Sequence, residues 1–284
     1  MTDLFSPAAP EVVNAYWDRR PDWCRSDQSR ENAATLIGAA SEIDGGEMLE
    51  IGSSAGEGAA ALLHGSRENG ARLHGIDVAT HVYYDKTKPI GAVVAEAFPE
   101  YANRYQLHTE STSKRARTFE QRFNLVHIDG AHSHPWAVLD LLNVMGVVEN
   151  GTLILLDDAK YTAPLSQAAY YMAHELSEFG KLSGGHFAFR YPGPTLDFIT
   201  RLERIITMPW QAPIPYGELM GLFEYLTHSI GPQAAAKLAG AFLVAFDRYE
   251  QHATIYQPLS QRLWRNEIEL RKAKRGGTPY GQHE

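Results

Sequence analysis

The 284-residue chain has a single cysteine, Cys24. That excludes an intramolecular disulfide and any zinc site built on several thiolates. Long apolar runs are also missing. The most apolar short stretch, "LAGAFLVAF", is far below the roughly 20 residues that span a bilayer, so no membrane association is expected. Positive charge is scarce: 26 Lys and Arg stand against 34 Asp and Glu, a formal charge of −8. A nonspecific nucleic-acid binder would carry a basic face, so nucleic acid is not an expected partner. The small basic group Lys272, Lys274 and Arg275 reads as a solvated helix end. "MTDLFSPAAPE" lacks a basic segment followed by an apolar one, so no secretory signal is expected and the expected location is cytoplasmic. There is no internal repeat and no low-complexity tract. Hydrophobic content of 44% is nevertheless ample for a core.

What is present is an alternation. "EMLEIG", "ARLHGID", "YQLHTES", "FNLVHID" and "GTLILLDD" read as strands. "GEGAAALLHG", "IGAVVAEAFPEY", "PWAVLDLLNVM" and "PLSQAAYYMAHELSEFG" read as helices between or after them. Strands alternating with helices predict an α/β fold: a Rossmann-like, doubly wound, mostly parallel sheet with helices on both faces. The unbroken apolar runs "LVHI" and "LILL" suit strands buried on both sides. Residues 1–46 are expected to form an N-terminal helical segment, including "RENAATLIGAA", and 47–200 the sheet domain. Residues 201–284 are expected to be a helical extension of three amphipathic helices, "YGELMGLFEYLTHSIG", "PQAAAKLAGAFLVAFDRYEQH" and "PLSQRLWRNEIELRKAKRGG". Its aromatics Phe223, Tyr225, Phe242, Phe246, Tyr249 and Trp264 read as core or oligomer interface. A homo-oligomer is expected, or a lid over substrate. The final "GGTPYGQHE" reads as a frayed tail.

In open α/β sheets ligands bind at the carboxyl ends of the strands. Those ends carry Gly52, Asp77, Ser111, Asp129 and the pair Asp157–Asp158. "LEIGSSAGEGAAAL" fits E-x-G-x-x-x-G-x-G with Glu50, Gly52, Gly56 and Gly58, and Ser53 within the loop. Small residues there permit a tight turn and close backbone approach at a helix N-terminus. Asp77, 25 residues after Gly52, suits ribose hydroxyls. A nicotinamide dinucleotide is one candidate, although its G-x-G-x-x-G fingerprint is absent. Short-chain dehydrogenases use G-x-x-x-G-x-G, and "YDKTK" (Tyr84 to Lys88) fits their Y-x-x-x-K pair, but here it follows the glycines closely and in a loop. This NAD(P)-dependent oxidoreductase is the alternative enzyme reading. A noncatalytic binding protein on the same fold is another.

S-adenosylmethionine is the other cofactor candidate, and over residues 30–200 the sequence resembles the class I methyltransferases. The resemblance implies that the Gly52–Gly58 loop lies by the methionine portion and Asp77 on the ribose. It also implies Ser111 beside adenine, and Glu50 as the acid of the first motif. "HIDGAHSH…ENGTLILLDD" resembles the metal-dependent O-methyltransferases of the macrocin/mycinose and catechol/caffeoyl-coenzyme A types. That likeness implies a divalent cation, expected to be Mg2+, on Asp129, Asp157 and Asp158. Three carboxylates suit a hard cation that takes about six oxygens and keeps water or substrate among them. His132, three residues after Asp129, stands where the catechol type has a lysine and implies a general base. Histidine suits that role, with an ordinary pKa of about 6.5. His127 reads as a core histidine and His134 as a helix-start residue before Pro135; a His132-x-His134 zinc pair is a weaker alternative. Tyr83 and Tyr84 are placed where they could stack on a ligand. The expected activity is methylation of a hydroxyl on a small natural product or sugar, with a neighbouring oxygen on the metal.

Overall fold

The structure, a computed structural model, describes residues 4–24, 28–159, 167–249 and 262. Seven strands form one sheet. They are β1 (Glu47–Ile51), β2 (Arg72–Ile76), β3 (Tyr105–His108), β4 (Phe123–Ile128), β5 (Val148–Leu156), β6 (Gly180–Ser183) and β7 (His186–Arg190). Their order is β3-β2-β1-β4-β5-β7-β6. The first five are parallel, and β7 runs antiparallel to both β5 and β6. The five expected strands are all present. The β6–β7 hairpin was not anticipated: "GKLSGGHFAFR" is a short run with a glycine turn, easily taken for the tail of the preceding helix.

Side chains alternate across the sheet, and the central strands feed two cores. Leu49, Val126, Ile128, Ile154 and Leu156 point to one, with helices Trp136–Val144, Leu196–Ile206 and Leu222–Ile230. Met48, Leu125, Leu153 and Leu155 point to the other, with helices Arg30–Ser41 and Glu57–Gly65. Two-sided burial explains the unbroken apolar runs of β4 and β5.

Two expected helices are shorter than their patterns. "IGAVVAEAFPEY" holds an α-helix only over Ala92–Ala97, because Pro99 begins a separate 3-10 turn, Pro99–Arg104. "YGELMGLFEYLTHSIG" breaks at Gly221, whose φ of +74° separates the turn Tyr216–Leu219 from the helix Leu222–Ile230. A further helix runs over 232–249. The expected third C-terminal helix and Trp264 lie outside the described residues. No helix among the described residues is long and apolar enough to cross a membrane.

The region after residue 200 is not a separate layer of packing. Helix Leu196–Ile206 runs across that position. It is capped by the Thr195 side chain, and it buries Phe198, Ile199, Leu202, Ile205 and Ile206 in the sheet's core. Phe242 is buried in the same core, with Phe223, Tyr225 and Tyr249 packed against it. The Tyr225 hydroxyl accepts the Gly146 N–H (2.7 Å) and donates to the Asn143 carbonyl (2.9 Å). Tyr225→Phe strands both backbone groups, so it should cost about 1–3 kcal/mol. Urea unfolding should show this as a lower midpoint within one cooperative transition. A separate early transition would mean the extension folds apart from the sheet.

Candidate active site

The site begins where β1 stops. Gly52 adopts φ +90°, a conformation that costs L side chains energy. Its N–H donates to the Ile76 carbonyl (2.8 Å), while the Asp129 N–H donates to the Ile51 carbonyl (2.8 Å). A Cβ on Gly52 would overlap the Asp129 carbonyl oxygen. The glycine therefore lets the first loop lie directly on the end of β4. Gly58 is needed for a different reason: a Cβ there would overlap Glu50 Oε1. Gly56 makes room for the backbone of Gly91. The motif's glycines thus serve protein-to-protein approach, whatever ligand lies above.

The loop forms one wall of a cavity of about 710 Å3, within the range of small-molecule sites. Gly52, Ser53, Gly58, Asp77 and Ser111 line it, and so do Asp129, His132, Asp157 and Asp158. Asp77 is held in place at both oxygens: Oδ2 accepts the Ser54 N–H (2.9 Å) and Oδ1 the Ala79 N–H (2.8 Å). The Ser111 N–H donates to the Asp77 carbonyl (3.0 Å), joining the two strand ends.

Two of the expected cofactor residues are not on the wall. Gly56 is turned onto Gly91. Glu50 is buried behind the wall, with Oε1 3.2 Å from His127 Nδ1. An acid two residues from a strand end points back along the sheet face, so it meets its neighbour on β4 instead of the cavity. Tyr83 and Tyr84 do line the cavity, and Tyr83 is largely exposed.

The acidic end is crowded. His132 Nε2 lies 3.9 Å from Asp129 Oδ1 and 3.7 Å from Asp158 Oδ2, beyond hydrogen-bond length. Burial pushes the Asp129 carboxyl well above its ordinary range, and the Asp157 and Asp158 carboxylates push it further. Asp157 goes the other way. Burial opposes its charge, but the His186, His127 and His132 rings and a hydrogen bond from Asp129 hold it below the usual value. Between the two, the surroundings favour the proton on Asp129 over Asp157. Asp158 has φ +58°, a strained backbone for a side chain that faces a site.

Two residues of this region were missed from the sequence. His186 opens β7, the strand that was not foreseen, and its Nε2 lies 3.0 Å from Asp157 Oδ1. Asp140 lies on helix Trp136–Val144, amid an apolar pattern, yet it faces the cavity. A carboxylate breaking the buried face of an amphipathic helix was the available signal. Two weaker alternatives are also set aside. His134 is fully buried against the Tyr171 ring, centroids 5.3 Å apart, and burial lowers its pKa to about 3. Its carbonyl accepts the N–H groups of Gln211 and Ala212. It anchors the C-terminal region and is not half of a zinc pair with His132. The Tyr84–Lys88 pair lies in a loop, where Lys88 Nζ bonds Glu96 Oε1 (2.8 Å). That removes the lysine from the cavity chemistry a short-chain dehydrogenase would need.

The fold is a Rossmann-like arrangement, five parallel strands extended by an antiparallel hairpin. Residues 49–159 match the family model described as a methyltransferase domain. Similar solved structures include the SAH-bound methyltransferase PaMTH1 of Podospora anserina. It is 20% identical, with TM-score 0.48 over 66% of this chain and 90% of that one. Cofactor-bound Rv0187 from MTB is 17% identical, with TM-score 0.46 over 65% and 92%. The O-methyltransferase TomG of Streptomyces achromogenes, in complex with SAM, is 16% identical, with TM-score 0.45 over 66% and 92%. No curated protein matches the chain.

Burial raises the Asp140 carboxyl to about 7, with Ser113 opposing and Glu218 adding to the shift. In the unfolded chain an aspartate titrates near 3.9. The folded state therefore holds the proton more tightly, and its stabilising effect is present below about pH 4. It is lost as pH rises through about 7, for a total of about 4 kcal/mol. Asp140→Asn should remove that slope. Stability measured by denaturant unfolding should fall less between pH 5 and 8 in the variant than in the wild type. Equal slopes would show that Asp140 is charged in the folded protein throughout.

Proposed function

We propose that the protein is an S-adenosylmethionine-dependent, divalent-cation-dependent O-methyltransferase. It acts on a hydroxyl of a small natural product or sugar, with a vicinal oxygen on the metal. One observation carries the reading: Asp77, held at both oxygens, and the Asp129–His132–Asp158 group open into the same cavity. An acid suited to ribose hydroxyls and a group able to take a proton thus face one cavity. The methyltransferase match over 49–159 supports the reading.

The residues fit both groups. Asp77 has lone pairs left for two hydroxyls after its backbone bonds. Asp129, Asp157 and Asp158 supply hard oxygen donors in a partly dry setting, where their mutual repulsion favours a cation. S-adenosylmethionine, when bound, supplies the methyl group and leaves as S-adenosylhomocysteine. Asp129, Asp157 and Asp158 would hold a divalent cation, which would supply Lewis-acid activation of the acceptor hydroxyl. The chain itself does the rest. Gly52, Ser53 and Ser111 shape the cofactor end, and Asp77 orients the ribose. His132 Nε2 receives the acceptor's proton; it stands 3.7–3.9 Å from the flanking carboxylates, beyond hydrogen-bond length of them. Homo-oligomerisation belongs to the same reading, supported by the exposed Leu243, Val244 and Phe246 on the helix over 232–249.

Calorimetry with S-adenosylhomocysteine, with magnesium and with EDTA, beside NAD, tests the cofactor. Binding of S-adenosylhomocysteine and none of NAD is expected; the reverse would overturn the assignment of Asp77. For the base, His132→Ala should lower kcat by roughly 10²–10⁴-fold while S-adenosylhomocysteine still binds. An unchanged kcat over a panel of accepted hydroxyl substrates would remove His132 from the chemistry. Asp157→Ala should cost orders of magnitude in rate, and full activity of that variant in chelator would rule out a catalytic metal.

A further inference from the structure

The sheet register places three donors on one face, below the cavity. Glu50 pairs with His127, His127 with Leu155, and Leu155 with Ala188. Asp157 is two residues beyond Leu155. On antiparallel β7, His186 is two residues before Ala188. Side chains two apart share a face, so His127, Asp157 and His186 come together at the carboxyl edge. Their donor atoms all lie within 4.8 Å of one another, the group of this kind found among the described residues. The carboxylate set of the proposed function is not drawn together to that degree.

From this convergence we infer that His127, Asp157 and His186 form a binding site for a borderline transition metal, of the zinc, cobalt or nickel kind, in the cavity floor. The spacing suits shared ligation. His186 Nε2 and Asp157 Oδ1 are 3.0 Å apart, and two donors about 2.1 Å from one ion lie about 3.0–3.4 Å from each other. The second partner suits it as well. Glu50 Oε1 lies 3.2 Å from His127 Nδ1, placed to accept its proton in the tautomer that presents the Nε2 lone pair to an ion. That Nε2 is buried and has no hydrogen-bond partner, a costly state for a polar atom in a bare protein. A carboxylate behind a ligating imidazole is the usual second partner of such sites. Two imidazoles select against magnesium, which prefers oxygen. All three residues line the cavity, so an ion has an entry path, and remaining coordination positions face the space above. The site shares Asp157 with the proposed carboxylate set but is built from different partners. It goes beyond the methyl-transfer reading and stands independently of it.

The test uses the full chain, stripped with chelator and titrated with cobalt(II) alone. One equivalent should bind with the visible bands of nitrogen-ligated cobalt, and a large excess of magnesium should not displace it. X-ray absorption at the cobalt edge should count two imidazoles. His127→Gln and His186→Gln should lose the bands while still melting cooperatively. Glu50→Gln, a positioning change, should weaken cobalt binding roughly 10–100-fold, and Asp129→Asn should keep the bands. No bands in the wild type, fewer than two imidazoles, or bands intact in both folded histidine variants would overturn the site. Binding of S-adenosylhomocysteine by the same protein is scored separately. Its absence would remove the methyl-transfer reading and leave the cobalt result standing.

Discussion

The contact between Gly52 and the end of β4 governs the rest. With no Cβ and a positive φ, Gly52 lets the loop after β1 lie against the Asp129 carbonyl, while the Asp129 N–H bonds back to Ile51. The central seam of the sheet closes at its carboxyl edge without a gap. One side of that seam delivers the loop to the cavity wall that Asp77 also lines. The other delivers Asp129 and, three residues on, His132. A side chain at position 52 would have to separate the two halves, and the cavity would lose its shape before any ligand was considered.

Below the seam, burial of charge decides the chemistry. Glu50 and His127 are each almost fully buried, and they are neighbours across β1 and β4. Taking a carboxylate into such a place is costly unless it is paired. Gly58 contributes by leaving space for Glu50 Oε1. A glycine that looks like a ligand-approach device is thus required by a buried acid, and the acid in turn fixes an imidazole. The chain of dependence runs from a small residue, through a carboxylate, to a histidine ring facing the cavity floor.

Much of this was legible in the sequence because it depends on local pattern. Continuous apolar runs ending in Gly52, Asp77, Asp129 and Asp157 identify parallel strands and the edge where a site belongs. Three features were not legible, each for a tertiary reason. His186 sits on β7, and only the antiparallel return of that strand puts it beside Asp157. Asp140 reads as one polar residue in an apolar helix, and nothing local says that its face meets the cavity. His134 looks like part of the histidine cluster in sequence, but its carbonyl is tied to Gln211 and Ala212 and its ring lies on Tyr171. Sequence proximity to Asp129 was misleading there, because the turn into the next helix sends successive side chains in opposite directions.

The arrangement also explains why acids accumulate where they are least comfortable. Asp129, Asp157 and Asp158 lie together, and Asp140 approaches from the helix behind Gly130. Burial and the neighbouring carboxylates favour the proton on Asp129, and imidazoles are set around Asp157. Burial lowers the His186 pKa to about 4, so near neutral pH its ring is uncharged and offers a lone pair or a hydrogen bond, but no positive charge. A neutral His186 ring relieves Asp157 only in part. A divalent ion would supply the missing charge and release the proton on Asp129, since ligation needs the deprotonated carboxylate. Strands hold these donors at fixed register, so the repulsion cannot relax by moving them apart. What the fold stores at the carboxyl edge is therefore a standing preference for positive charge, set by the sheet and independent of which substrate enters above it.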